Sequence, residues 1–291
     1  MKFVTSLAFS EVEHLLQLAR AAEDAGFDSV AVSDHIVHPE IIATPYPYTK
    51  DGKTRWEPFT PWPDPWVAIG AMAAVTQRLR FVTSVYVLPM RNPFSVAKAV
   101  ATAAVMSGNR VALGIGAGWM EEEFELLEQP FRGRGRRMDE MLEVLGKLWT
   151  RGMVEHHGRF YDFERLEMSP VPSAPIPVYV GGVSEPALRR AARLADGWIS
   201  DIHSTADLTR IISRMRAYRN DSERAGTPFE IFAVADDAFD VAGYRRLEDV
   251  GVTHVVTMPW LLYGGAMHSL DQKRAGILRF GEEIIAPMSG S

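Results

Sequence analysis

The sequence contains no cysteine, and that absence excludes disulfides, a thiolate nucleophile and cysteine-bound metal centres. It also lacks a basic arm or tail: 31 Lys and Arg against 37 Asp and Glu give a net charge of −6. The electrostatic footprint of a nucleic-acid partner is therefore missing. No run approaches the roughly 20 apolar residues that span a bilayer, so no membrane partner is expected. The N-terminal Met1-Lys2-Phe3-Val4-Thr5 turns polar at Ser10-Glu11, too early for a signal peptide, which makes the cytoplasm the expected location. Metal-ligand spacing is absent as well: His156 and His157 are adjacent and His14 falls in a helical pattern, so no metal site is expected. The serine nucleophile elbow is missing too.

What the sequence does contain is a rhythm. Short β-branched runs recur at Phe3-Val4-Thr5, Ser29 to Ser33, Phe81 to Val85, Val111 to Ile115, Val178-Tyr179-Val180, Gly197 to Ser200, Phe229 to Val234 and His254 to Thr257. Most are continuously apolar, as strands are when helices cover both faces of a parallel sheet. Helical patterns lie between them: Val12, Leu15, Leu16, Ala19 and Ala22 keep i, i+3, i+4 spacing, and Gly26 stands where a left-handed cap belongs. The same helix-glycine-strand joint returns around Gly251 and, more loosely, at Gly197. The fold class is α/β, and the alternation predicts a closed (β/α)8 TIM barrel formed by residues 1–291 as a single domain. A doubly wound sheet is the rival, but Ser6-Leu7-Ala8-Phe9-Ser10 lacks the glycine fingerprint that fold carries after its first strand.

Two insertions break the rhythm, one after strand two and one before strand five. Residues 36–65 hold seven of the 18 prolines together with Tyr46, Tyr48, Trp56, Phe59 and Trp62, and cannot form one regular element. In a barrel this loop lies on the catalytic face, as a lid or pocket wall or as an elaborated contact loop. Residues 151–175 read as a hairpin and a proline-rich connector.

The residues with chemistry cluster at strand ends. Ser33-Asp34-His35 closes strand two, and a histidine there can exchange protons near neutral pH. Successive strand residues face opposite ways, so Asp34 is not expected to orient His35. His203, past strand six, is a weaker candidate for the same mouth. Strand four runs into Gly114-Ile115-Gly116-Ala117-Gly118-Trp119, where backbone can approach a flat or bulky group. Glu121, Glu122 and Glu123 follow and are first explained by the helix dipole. After strand five, Gly181-Gly182-Val183-Ser184 leads into a helix, a turn suited either to capping by Ser184 or to phosphate binding. The arginines of Arg132 to Arg137 are expected either to pair with Asp139 and Glu140 on a solvated helix start or to attract an anionic cofactor tail.

In this order, Ala25 to Val30 with Ser33-Asp34-His35, Thr83-Ser84-Val85 through Leu88-Pro89 and Asn92-Pro93, Gly114 to Trp119 leading to Arg136-Arg137-Met138-Asp139-Glu140, and Gly181-Gly182 to Asp196-Gly197-Trp198 resemble the bacterial luciferase-like superfamily of flavin- and deazaflavin-dependent oxidoreductases. The resemblance runs from about Phe3 to Pro259. It implies a barrel that holds its ring at the C-terminal mouth, and a homodimer. The Asp34-His35 pair looks like the branch that uses coenzyme F420, a hydride-carrying deazaflavin, with FMN as the alternative cofactor. Carried over residue by residue, His35 is the proton donor or acceptor to a small organic substrate. Gly181, Gly182, Val183 and Ser184 match the phosphate-binding turn. Ser84 and Val85 match the bulge that supports the ring, where a non-proline cis peptide is expected. Asp34, Gly116, Gly118 and Trp119 are expected to border the cofactor.

One position departs from the pattern: the sugar-phosphate dehydrogenase branch has a catalytic carboxylate where this chain has Trp119, which cannot transfer a proton. The resemblance thus implies an F420-dependent oxidoreductase. The alternatives are an FMN-dependent monooxygenase using reduced flavin and oxygen, or a non-catalytic flavin-binding protein.

Overall fold

Every one of the β-branched runs forms a strand in the computed structural model, which describes residues 1–290. β1 (Lys2–Ser6) leads through α1 (Leu15–Asp24) to β2 (Ser29–Val32), and the long loop and α2 (Pro65–Ala74) lead to β3 (Arg80–Thr83) with its continuation β4 (Tyr86–Val87). Then come α3 (Pro93–Ser107), β5 (Val111–Gly116), α4 (Glu121–Leu126), α5 (Arg134–Leu148) and an antiparallel hairpin of β6 (Val154–His157) and β7 (Asp162–Leu166). β8 (Val178–Gly181), α6 (Glu185–Leu194), β9 (Gly197–His203), α7 (Thr205–Asn220), β10 (Glu230–Ala235), α8 (Val241–Val250) and β11 (His254–Thr257) complete the alternation, followed by α9 (Pro259–Leu262) and α10 (Leu270–Phe280).

The main sheet runs β3-β2-β1-β11-β10-β9-β8-β5 and closes through a β3–β5 pairing, Phe81 against Val111 and Val82 against Ala112. All the pairings are parallel, so the fold is the (β/α)8 barrel and not the open sheet. One inward residue per strand fills its centre: Val4, Ala31, Val82, Ala112, Tyr179, Ile199, Phe232 and Val256. Two alanines in this layer offset the bulk of Tyr179 and Phe232, whose rings stand 4.6 Å apart. Outside the strands, a larger core joins them to the helices, with Trp198, Phe81 and Leu18 fully buried. On α1, Leu15, Leu18, Ala19 and Ala22 face this core, whereas Leu16, and Val12 just before the helix, stay exposed.

The joints follow the sequence at two of the three glycines. Gly26 and Gly251 adopt the left-handed conformation, φ 84° and 104°. Gly197 instead opens β9, where a Cβ would lie 2.3 Å from the Glu230 carbonyl oxygen; close strand packing, not a helix cap, requires glycine there. Strand three ends at Thr83 rather than Val85; Ser84–Val85 is a cis peptide, and pairing resumes at Tyr86. The loop before Pro65 carries no regular element, and the helix after it starts with Asp64 accepting the Trp66 and Val67 N–H groups, with Pro65 at the first helical position.

The floor of the barrel holds a buried ionisable cluster. His254 stacks on Phe232 at 4.0 Å and 7°, with its Nδ1 2.8 Å from the Thr253 hydroxyl and Nε2 3.8 Å from Asp28. Burial, assisted by Lys2 and Arg80, outweighs the pull of Glu230 and Asp28 and holds its pKa down at about 4, against 6.5 ordinarily. His254 therefore binds its proton more weakly folded than unfolded, so its contribution to stability is complete above pH 6.5 and is lost as pH falls toward 4. Urea unfolding is expected to lose on the order of 2 kcal/mol between pH 7 and pH 5. The same series on His254→Phe is expected to be clearly flatter; an unchanged slope would contradict the assignment.

Candidate active site at the barrel mouth

The site begins with the break in strand three. Ser84–Val85 is a cis peptide, and Val85 borders the barrel mouth. There it meets two glycines on neighbouring strands: a Cβ on Gly116 would lie 2.7 Å from Val85 Cγ2, and one on Gly181 2.7 Å from Val85 Cγ1. Glycine at both positions is the steric condition for Val85 to sit there. The Ser33 hydroxyl donates to the Ser84 carbonyl at 3.1 Å and ties this bulge to the end of β2.

β2 ends at Val32, so strand alternation does not extend to Asp34 and His35; both border the mouth, but their side chains meet different partners. The Asp34 carboxylate is buried, with Arg91 donating to its two oxygens at 2.6 and 2.7 Å and the Val87 N–H donating at 2.9 Å. It braces the restart of strand three. His35 instead lies against Glu123, with Nδ1 2.8 Å from Oε2. The other Glu123 oxygen accepts the N–H groups of Ile36 (2.7 Å) and Val37 (3.3 Å). Burial alone would raise the Glu123 pKa, but the hydrogen bond and charge of His35 and the two backbone donors outweigh it and hold this carboxyl below the usual range. With a carboxylate at Nδ1, the ring's Nε2 is the nitrogen left to exchange a proton.

Glu123, which the sequence reading assigned first to the helix dipole, is the partner of His35 that this reading missed. It is the third residue of α4, where a glutamate is already explained by the helix dipole, and its partner lies 88 residues away. Glu122, next to it, accepts the N–H groups of Ala43 and Thr44 at 2.6 and 2.9 Å. The first turn of α4 thus pins the near end of the 36–65 loop. The far part is tied by Arg55, which forks onto both Asp201 oxygens at 2.6 and 2.8 Å and donates to the Tyr48 carbonyl at 2.7 Å. The loop is a pocket wall, and its aromatics enclose His35. Trp56 and Trp62 each lie 4.9 Å from the imidazole and Trp119 6.1 Å, while Tyr46 closes the cage at 5.1 Å from Trp119.

The sequence candidates come together around one cavity of about 580 Å³, bordered by Asp34 and His35, Ser84 and Val85, Gly116 to Trp119 and Gly181 to Ser184. Ser184 caps α6, its hydroxyl accepting the Ala187 N–H at 3.4 Å. Of the arginine run, Arg134 borders the cavity, where its Nε donates to the Gly118 carbonyl at 3.0 Å and its guanidinium covers Phe131. Arg137 is buried against the Pro130 and Pro89 carbonyls. The expected pairing of this run with Asp139 and Glu140 does not form. Asp139 takes Arg190 from α6, and Glu140 accepts the N–H groups of Arg159, Phe160 and Tyr161 in the hairpin turn, because α5 packs those faces away from the arginines. His203 ends β9 but does not border this cavity. Among the described residues, no group of three or more His, Asp or Glu side chains could hold a metal ion, and no helix is long and apolar enough to cross a membrane.

Residues 3–242 match the profile of the luciferase-like monooxygenase family. A Mycobacterium tuberculosis protein of uncharacterised function is 39% identical over 289 residues, covering 98% of this chain and 99% of that one. A protein of Nakamurella multipartita named F420-dependent glucose-6-phosphate dehydrogenase is 34% identical over 241 residues, 81% of this chain and 66% of the relative. Among solved structures, the monooxygenase RslO1 of Streptomyces bottropensis superimposes with a TM-score of 0.76 at 18% identity, covering 99% of both chains.

Truncating Glu123 removes the acceptor of three donors inside an enclosed site. Glu123→Ala is expected to lower the unfolding free energy by about 2–4 kcal/mol and to open the loop to limited proteolysis within residues 36–43, both read against wild type. A variant as stable and as resistant as wild type would contradict this role.

Proposed function

Because the chain belongs to the luciferase-like monooxygenase family, we propose that it is an oxidoreductase using coenzyme F420, which exchanges a hydride with a small organic substrate while His35 handles the proton. The observation that carries this reading is the His35–Glu123 pair facing a glycine-lined cleft built on the Val85 bulge. The resemblance to the F420-dependent dehydrogenase of Nakamurella multipartita, over 81% of this chain, supports the choice of cofactor.

The residues present fit a flat tricyclic group with a phosphate-bearing tail. Gly116 and Gly181 leave the cleft without side chains where Val85 projects, and Trp62, which borders it, has a buried indole N–H without a partner. Gly181 to Ser184, at the start of α6, would hold the phosphate on backbone donors and the helix dipole. Gly116, Gly118 and Trp119 would border the ring, and Val85 would back it. When bound, a deazaflavin supplies two-electron hydride exchange at one ring carbon. The protein supplies the proton path. With Nδ1–H donated to Glu123, Nε2 of His35 would accept the proton of a substrate hydroxyl in one direction and return it in the other. Glu123 fixes the tautomer and stabilises the imidazolium that forms. The aromatic cage of Tyr46, Trp56, Trp62 and Trp119 excludes water from this exchange.

That same enclosure favours a second reading, an FMN-dependent monooxygenase working with reduced flavin and oxygen, since shielding from water also serves oxygen chemistry. Titration with F420 and with FMN, followed by tryptophan fluorescence, separates the two. F420 is expected to bind at least tenfold more tightly; tight FMN binding with none for F420 would overturn the proposal. His35→Ala is expected to keep cofactor affinity within about tenfold while slowing single-turnover hydride transfer roughly 100-fold. An unchanged rate would remove His35 from the mechanism.

A further inference from the structure

Beyond the Arg55–Asp201 pair the mouth opens into a second and larger cavity of about 810 Å³. Ser33, Ser84 and Ser200 border both cavities, so the second lies directly beside the cleft read above as the cofactor site. Its far wall is aliphatic and sulfur-bearing: Val234 on β10, Val256 on β11, and Met258, Leu261, Leu262 and Met267 after the last strand. Leu261 is 50% exposed, an apolar side chain left open to this space. The volume is that of a site for a drug-sized molecule.

The charges around this cavity decide what it can take. Arg55 and His268 are the basic side chains that border it, and both are engaged, Arg55 with Asp201 at 2.6 and 2.8 Å and His268 with Glu11 at 2.9 Å. Glu57 adds a third carboxylate. A phosphate or carboxylate ligand would find no unpaired Arg or Lys among the described residues that border the cavity and would face more negative charge than positive, while its desolvation went uncompensated. An apolar body, by contrast, gains on the order of 25 cal/mol for each Å² it buries.

We propose that this cavity binds a neutral, predominantly apolar molecule and rejects phosphorylated sugars. Naming that molecule the substrate rests on the adjoining cleft being the cofactor site; its binding does not. The serines shared by the two cavities provide hydroxyls near the place where a carbonyl or hydroxyl on such a body would meet the cleft.

The full-length protein is titrated by calorimetry with progesterone, a neutral polycyclic ketone, and with glucose 6-phosphate, and F420 is titrated in parallel. The ketone is expected to bind at least 100-fold more tightly than the sugar phosphate. Leu261→Asp, at a half-exposed position, is expected to weaken the ketone at least tenfold with F420 affinity unchanged within twofold. Val234→Phe, which narrows the cavity from β10 on the same wall, tests the same point without adding charge. Sugar phosphate binding as tight as the ketone, or ketone affinity indifferent to both substitutions in folded protein, would overturn the inference. Ketone binding without F420 binding supports it and contradicts only the cofactor reading; F420 binding without ketone binding contradicts it alone.

Discussion

A carboxylate taken out of water without partners costs several kcal/mol, and Glu123, with a side chain only 2% exposed, escapes that cost by collecting three donors: the His35 ring and the N–H groups of Ile36 and Val37. All three belong to the segment that leaves β2. The condition that keeps Glu123 satisfied is therefore the one that fixes the imidazole and anchors the start of the loop above it. Glu122 extends the grip to Ala43 and Thr44. A loop held at that end and at Arg55 lays Trp56 and Trp62 against His35, with Tyr46 packed on Trp56.

The barrel makes this constellation possible by what it leaves out. Its inner layer is closed by one residue from each strand, so the floor is solid and the mouth is the place where side chains can converge on a ligand. Strand three stops at Thr83 and Val85 projects between two glycines, which clears a flat cleft of side chains on its neighbours. Asp34 contributes from beneath, bracing Arg91 and the strand's restart. Scaffold and site are thus separated: the floor carries the pH-sensitive His254, and the mouth carries His35.

The alternation of apolar runs was enough to read the barrel, because strands covered on both faces leave an unbroken apolar signature in the chain. The glycine turns were legible for a similar reason, since close backbone approach admits no other residue. His35 could be singled out just past the end of a strand, but its divergence from Asp34 is set in the loop beyond Val32, where the pleat no longer governs. Glu123 was not legible: its local setting, three glutamates opening a helix, has a complete explanation in the helix dipole, and only tertiary structure brings His35 to it. Of the two readings of the arginine run, the pairing with its sequence neighbours failed for the converse reason, while Arg134 does border the mouth cavity. The neighbours Asp139 and Glu140 turn toward α6 and the hairpin, a choice made by helix packing and invisible in spacing.

The central claim is that His35 and Glu123 act as one unit in proton transfer. A double-mutant cycle on single-turnover hydride transfer, comparing Glu123→Gln, His35→Ala and the double variant, tests it most directly. Glu123→Gln should slow the step on its own and add nothing once His35 is gone, so that the double variant is no slower than His35→Ala. Losses that multiply in full would show two independent residues and contradict the account.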